Sequence, residues 1–288
     1  MKTPTPQMGH YNNLPLLRFD SKTLKIEGFS RGGMQTYWRI RECDLLLDIG
    51  SCHWDLAGSR YAAITHTHPD HFAGLIGYIA TREMMHYEIP TIFAPPFVVS
   101  SIEILLKAWR DISGDDYPCH LVEVEIGTKH QIKKDYFIEA VEADHTVDAV
   151  GYVIWNKRTQ LLPELVGMPS EDIKKLVSQG QKINTTRLVA ELAYTGDSRP
   201  AIIENNPIFG KAEVLISECT FVDTEVDPGT AHKHGHTHLE DIIRLSDTLE
   251  NQNLILSHFS TRWPRDKILE LLNKKLPKAL LPRTVAWI

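Results

Sequence analysis

Little in this 288-residue sequence points to a membrane, a disulfide framework or a polyanion-coated partner. No apolar run reaches the ~18 residues that a bilayer-spanning helix needs. Met1 to Pro15 is polar and proline-bearing, without the apolar centre of a signal peptide. The expectation is a cytoplasmic protein with no membrane partner. The four cysteines, Cys43, Cys52, Cys119 and Cys219, have no C-x-x-C spacing, which argues against a zinc knuckle or a dense disulfide scaffold and leaves only a Cys43–Cys52 bridge open. Basic residues are not in excess: the formal charge is −6. Broad, non-specific nucleic-acid binding needs clustered Lys and Arg to release counterions, so it is disfavoured. A phosphate substrate is still compatible, because bound divalent ions can dominate the local charge of a site. Neither a fixed-period repeat nor a linker divides the chain. Residues 23–288 are therefore expected as one α/β domain behind a polar lead-in, residues 1–22, and 42% hydrophobic content is enough for a sizeable core.

What the chain does have is histidine in one dense stretch, Thr65-His66-Thr67-His68-Pro69-Asp70-His71, between an apolar run and Phe72-Ala73-Gly74-Leu75. Residues two apart in extended chain point the same way, so His66 and His68 converge on one point. Asp70 and His71 fall where the strand gives way to a helix, aimed at a neighbouring point. Imidazole and carboxylate suit a divalent ion, and two such ions about 3.5 to 4 Å apart form a hydrolytic clamp. The bland reading is a histidine-rich surface turn; H-x-H-x-D-H directly after a strand favours metal.

Further donors stand at expected strand ends. His145 follows a strand in Ala143-Asp144-His145, Asp197 lies on the turn Gly196-Asp197-Ser198, and His258 closes the strand Leu254 to Ser257. The expected sets are His66, His68 and His145 on one ion and Asp70, His71 and His258 on the other, with Asp197 between. Asp48, in Asp48-Ile49-Gly50, either orients a ligand histidine or is an ordinary turn residue. In the tract His232 to His238, His236 has the strongest functional claim, as a general acid for a leaving alkoxide; Glu218 either tunes its pKa or only orients it. A hydroxide shared by two metals would be the nucleophile and a phosphodiester the natural electrophile.

Around these residues the pattern reads as short strands and amphipathic helices. Phe72 to Met85 is expected as one helix. Phe97 to Ile112 is expected to bury a stripe of Ile102, Leu105, Leu106 and Trp109 in the core. Thr237 and Glu240 fit a capping box opening a helix over Leu239 to Leu249. The segment 157–187 interrupts the rhythm with six basic residues against three acidic ones. It reads either as an inserted arm for an anionic partner or as a solvated helical hairpin.

The order D-x-G, H-x-H-x-D-H, single His, Asp and late His resembles the metallo-β-lactamase superfamily. Asp144-His145-Thr146-Val147-Asp148-Ala149-Val150-Gly151-Tyr152, Glu218-Cys219-Thr220-Phe221 before His236-Thr237-His238, and Ser257-His258-Phe259-Ser260-Thr261-Arg262 resemble its ribonuclease Z branch. The resemblance implies an αββα sandwich of two mixed sheets flanked by helices, and two Zn2+, with Mn2+ or another divalent ion as substitute. It also implies a homodimer that trims the 3′ end of precursor tRNA, with His236 and Glu218 protonating the leaving group. Two features depart from that branch. Phe29-Ser30-Arg31-Gly32-Gly33-Met34-Gln35 stands where a Pro- and Lys-bearing, tRNA-reading loop is usual, and the Gly-Pro-rich element of the arm is reduced to Gly167-Met168-Pro169-Ser170. Three functions are therefore weighed: a phosphodiesterase acting on tRNA precursors or other RNA, one acting on a small cyclic nucleotide, and a non-catalytic metal-dependent binding module.

Overall fold

The computed structural model describes residues 1, 5–8, 15–51 and 54–288. Two mixed sheets face each other. In the first, β1 (Thr5–Met8), β2 (Pro15–Asp20), β3 (Lys25–Arg31), β4 (Gln35–Ile40) and β5 (Leu45–Ile49) form an antiparallel meander. β6 (Tyr61–Ala63), β7 (Thr91–Ala94) and β8 (His120–Glu123) continue it in parallel. The second sheet repeats this plan without any repeat in sequence. β9 (Lys129–Lys133), β10 (Tyr136–Ala143), β11 (Ala149–Leu161) and β12 (Asn184–Tyr194) are antiparallel, and β13 (Val214–Glu218), β14 (Asn253–Ser257) and β15 (Thr284–Ala286) follow in parallel.

Parallel strands need crossover connections, and here the crossovers are helices on the outer faces. α1 (Pro69–Phe72), α2 (Leu75–Met84) and α3 (Pro96–Ser113) serve the first sheet; α5 (Ala201–Asn205), α6 (Pro207–Lys211), α7 (Pro228–Lys233), α8 (Leu239–Arg244) and α9 (Arg265–Lys275) serve the second, with α4 (Ser170–Ser178) set apart in the arm. The central strands are buried on both faces, so they read as unbroken apolar runs. In β5, Leu45 and Leu47 join the inter-sheet core while Leu46 and Ile49 face the helices. In β13, Val214 and Ile216 point inward and Leu215 outward. Trp38 of β4 and Trp287, just after β15, pack between the sheets with ring centroids 4.7 Å apart and planes tilted by 50°. The expected αββα sandwich is the observed architecture.

Several local expectations are corrected. The lead-in 1–22 contributes two strands to the first sheet, with β2 paired to β3 from Leu17↔Gly28 to Asp20↔Lys25; its apolar residues are too few to signal a strand, but Leu16 and Leu17 are buried. The Phe72 to Met85 helix is two helices broken at Ala73-Gly74, where Gly74 N–H donates to Ile49 O at the end of β5. On α3, Ile102 is buried, but Trp109 is 41% exposed, and Ile104 and Ile112 are more so. That stripe is only partly core. The cap of α8 is His238 with Asp241, because the Thr237 hydroxyl instead donates to Ser198 O, and the helix stops at Arg244. The arm is not a helical hairpin: β11 and β12 stay paired out to Leu161↔Asn184, a projecting ribbon that carries α4 at its tip. Cys43 is buried, and Cys52 lies outside the described residues.

Candidate metal centre

The site forms at one edge of the sandwich, where strand ends converge. His66 and His68 follow β6, Asp70 and His71 ride on α1, His145 sits in the β10–β11 turn, Asp197 follows β12, Glu218 ends β13 and His258 follows β14. Because β12, β13 and β14 run parallel, their C-terminal ends deliver Asp197, Glu218 and His258 to the same edge. The approach is tight. A Cβ on Gly50 would lie 1.7 Å from Asp70 O, so only glycine lets the end of β5 pack under α1.

All seven residues expected to bind metal are brought together. Donor atoms of His66, His68, His145 and Asp197 lie within 4.8 Å of one another, as do those of Asp70, His71, Asp197 and His258. His68 Nδ1 is 3.2 Å from both His66 Nε2 and His145 Nε2. On the other side, His71 Nε2 is 3.4 Å from His258 Nε2, and Asp70 Oδ2 is 3.4 Å from His258 Nε2. Asp197 belongs to both groups: Oδ1 lies 3.2 Å from His71 Nε2 and 3.3 Å from His258 Nε2, while Oδ2 lies 3.9 Å from His66 Nε2.

The outward nitrogens settle the orientation of these rings. His71 Nδ1 is 2.8 Å from Asp48 Oδ2, His145 Nδ1 is 2.8 Å from Gly235 O, His66 Nδ1 is 2.9 Å from Thr65 Oγ1, and His258 Nδ1 is 3.0 Å from Thr220 Oγ1. With those nitrogens donating, the inward ones of all four rings present lone pairs, the arrangement that a shared cation satisfies. Asp48 is therefore more than a turn residue. Its carboxylate also accepts from Thr65 N, the Thr65 hydroxyl and the Tyr194 hydroxyl, so one buried acid steadies residues of both groups.

Electrostatics agree with a cation-binding role. Burial opposes ionisation of Asp197, but His258 and His71 outweigh it and hold its carboxyl well below the usual range. Burial also opposes a charge on His71, yet Asp197 and Asp48 raise its pKa, marking a pocket that favours positive charge. His66, burdened by burial and by His71, is pushed well down.

Beside this centre is a hydrogen-bonded pair. His236 Nδ1 is 2.9 Å from Glu218 Oε1, and the His236 ring centroid is 5.1 Å from that of His145 and 5.5 Å from that of His258. Burial works against protonation of His236, but Glu218 and then Asp197 raise its pKa to about 9. Two other histidines of the tract are otherwise engaged: His232 Nε2 is 2.9 Å from Asp241 Oδ2, and His238 caps α8. Reading from sequence missed Thr220. Its hydroxyl donates to Glu218 Oε2 and stands 3.0 Å from His258 Nδ1, joining the acid pair to the second group. It missed Gly235 and Tyr194 as well; only the neighbouring motifs hinted at them.

Comparison with known proteins agrees with this geometry. The profile of the Beta-lactamase superfamily domain matches residues 53–259. The chain is 32% identical over 263 residues to tRNase Z TRZ1 of Arabidopsis thaliana, covering 91% of this chain and 94% of that protein. It is 33% identical over 217 residues to Ribonuclease Z of Pyrobaculum aerophilum, covering 70% of this chain and 68% of that one. Among solved structures, the metallo-β-lactamase fold protein YhfI of Bacillus subtilis superposes with a TM-score of 0.61 at 16% identity, covering 91% of this chain and 95% of that chain. Human tRNase Z, short form, superposes at 0.51 and 17% identity, covering 91% and 90%. The chain belongs to the metallo-β-lactamase superfamily, in its ribonuclease Z branch, and is a metal-dependent hydrolase.

Proposed function

We propose that this protein is a dinuclear-zinc phosphodiesterase of the ribonuclease Z type that cleaves RNA, with precursor tRNA as the first substrate to test. The observation that carries the reading is Asp197, whose two oxygens serve two adjacent donor groups. His66, His68 and His145 would hold one ion, and Asp70, His71 and His258 the other. Two divalent ions, when bound, supply an acidified water and neutralise charge on the phosphoryl oxygens.

The chain's own residues do the rest. Gly33 N–H donates to Asp70 Oδ2 at 2.9 Å, fixing a carboxylate that accepts a hydrogen bond from the attacking water. His236, held at Nδ1 by Glu218, gives its Nε2 proton to the leaving alkoxide. The arm ribbon, exposed at Lys174, Lys175, Lys182 and Arg187, contacts the anionic substrate away from the reacting bond. A homodimer is part of the reading; it is supported by Ile104, Trp109 and Ile112 of α3, which stay exposed in one chain.

A second reading, a small cyclic nucleotide as substrate, is favoured by one feature. Arg31 to Gln35 closes as a tight β3–β4 turn over Asp70, with no extended loop to read a tRNA end. The test measures zinc content and hydrolysis of bis-p-nitrophenyl phosphate by wild type and His68→Ala, then compares turnover of a 3′-extended tRNA with that of cyclic AMP and cyclic GMP. Faster turnover of the tRNA is expected. A zinc-loaded wild type that cleaves no diester would overturn both readings.

A further inference from the structure

The turn that follows Asp197 does more than leave the site. Ser198 N–H donates to Glu218 Oε1 at 3.0 Å, the oxygen that also faces His236. Ser198 O accepts from the Thr237 hydroxyl at 2.8 Å. Arg199 then ties down two other segments. Its backbone N–H donates to Asp144 O at 2.8 Å. Its guanidinium donates to His232 O at 2.6 Å, to Asp144 Oδ1 at 2.5 Å and to His145 O at 3.3 Å.

These acceptors belong to pieces of chain that must meet for the site to work. Asp144 and His145 lie in the β10–β11 turn; His232 stands in the last turn of α7, three residues before Gly235, whose carbonyl holds His145 Nδ1, and four before His236. The Gly235–His145 contact leaves no room for adjustment, since a Cβ on Gly235 would lie 2.6 Å from His145 Nδ1. The relative position of the His145 and His236 rings is therefore set by whatever holds the two segments. Arg199, from a third segment, bonds to both. A guanidinium offers several donors in a rigid plane, and a lysine ammonium on a flexible stem cannot reproduce that fork.

We propose that Arg199 is a positioning residue: it clamps the His145 turn to the α7–α8 segment and so fixes both the His66–His68–His145 metal group and the separation between His145 and the proton donor His236. This rests on the dinuclear reading above. It implies that removing Arg199 weakens one zinc site and slows proton donation together, although Arg199 touches neither ion nor substrate.

The test uses the full chain as Arg199→Ala, Arg199→Lys and Asp144→Ala, with Arg18→Ala as control, since Arg18 pairs with Asp20 on β2, away from the site. Zinc affinity is read by competition with a chelating dye, fold by thermal melting, and chemistry by kcat and KM on aryl phosphodiesters of varied leaving group. Arg199→Ala is expected to lose about tenfold to hundredfold in affinity at one of two zinc equivalents. Its kcat should fall most for poor leaving groups while KM stays within about twofold of wild type, the split expected when transition-state stabilisation alone is lost. Arg199→Lys should not rescue either property, Asp144→Ala should show a smaller loss of the same kind, and Arg18→Ala should match wild type. If Arg199→Ala does not fold, Arg199→Lys and Asp144→Ala carry the comparison. Wild-type zinc affinity and leaving-group dependence in the variants, with only the melting temperature lowered, would reduce Arg199 to a stabilising residue and overturn the proposal. A wild type that binds fewer than two zinc ions would instead overturn the dinuclear reading, and the proposal with it.

Discussion

The His236–Glu218 pair offers the sharpest test of the chemistry. Replace Glu218 by Gln, which keeps the shape and an oxygen to accept from Ser198 N–H but removes the charge. At pH 7.5 a pKa of about 9 leaves His236 roughly 97% protonated. Without the Glu218 charge, burial is opposed mainly by the more distant Asp197, so the pKa falls and the protonated fraction at pH 7.5 falls with it. The sign follows directly. A general acid works in its protonated form, so activity is lost as pH rises through its pKa, and the variant must lose activity at lower pH than wild type. Divalent ions bound nearby would lower both values by a common repulsion, so the separation of the two alkaline limbs is the quantity to measure. It should be about one to three pH units, the effect of one close opposite charge, with each unit about 1.4 kcal/mol of differential stabilisation of the imidazolium. The assay is the pH dependence of kcat/KM for aryl phosphodiesters whose phenols span a range of acidity. Glu218→Gln should be slower by about tenfold at pH 7.5 for poor leaving groups and near wild type for p-nitrophenolate, which departs without a proton. His236→Ala should cost about a hundredfold to ten-thousandfold for the poor leaving groups with zinc retained. Unshifted alkaline limbs, or a leaving-group dependence unchanged in His236→Ala, would refute the assignment.

Other perturbations test the supports of the site. Gly235→Ala introduces a Cβ against His145 Nδ1 at a backbone φ of +79°, so both the melting temperature and zinc retention should fall; a variant with wild-type zinc affinity would contradict the geometry. Asp48→Asn keeps only one accepting oxygen, so either the Tyr194 hydroxyl and His71 Nδ1, which share Oδ2, or Thr65 N–H, which bonds to Oδ1, is left facing an amide NH2; zinc binding should weaken by about tenfold to hundredfold in dye competition. Excising the arm tip, residues 162–183, and closing β11 to β12 with a short turn should leave bis-p-nitrophenyl phosphate hydrolysis intact. It should raise the KM for a tRNA precursor by about tenfold, an outcome read by comparing the two substrates on one preparation. Ile112→Asp, on the exposed face of α3, should shift the protein from dimer to monomer in light scattering without lowering its melting temperature.

The sequence by itself determined the candidate donor set of this protein, because that set is written in residue types at short spacing. H-x-H-x-D-H after a strand, and His145, Asp197 and His258 at strand ends, need only the geometry of a strand and its turn to be recognised. The alternation between sheets and helices was readable for the same reason. What lay beyond it were contacts between segments far apart in the chain. Asp48 reaches His71 across 23 positions and Tyr194 across 146, and Gly235 reaches His145 across 90. Thr220 and Arg199 are ordinary residues in sequence; packing alone gives them partners. The same cause explains the misread elements. Thr237 could not cap α8 because Ser198 O had claimed its hydroxyl, and Trp109 stays exposed because the buried residues of α3, Val98, Val99 and Ile102, all lie in its N-terminal half. Residue type and local spacing supplied the candidate metal donors, and tertiary structure decided how rigidly they are held, which hydroxyl and carbonyl orient each ring, and where the arm projects.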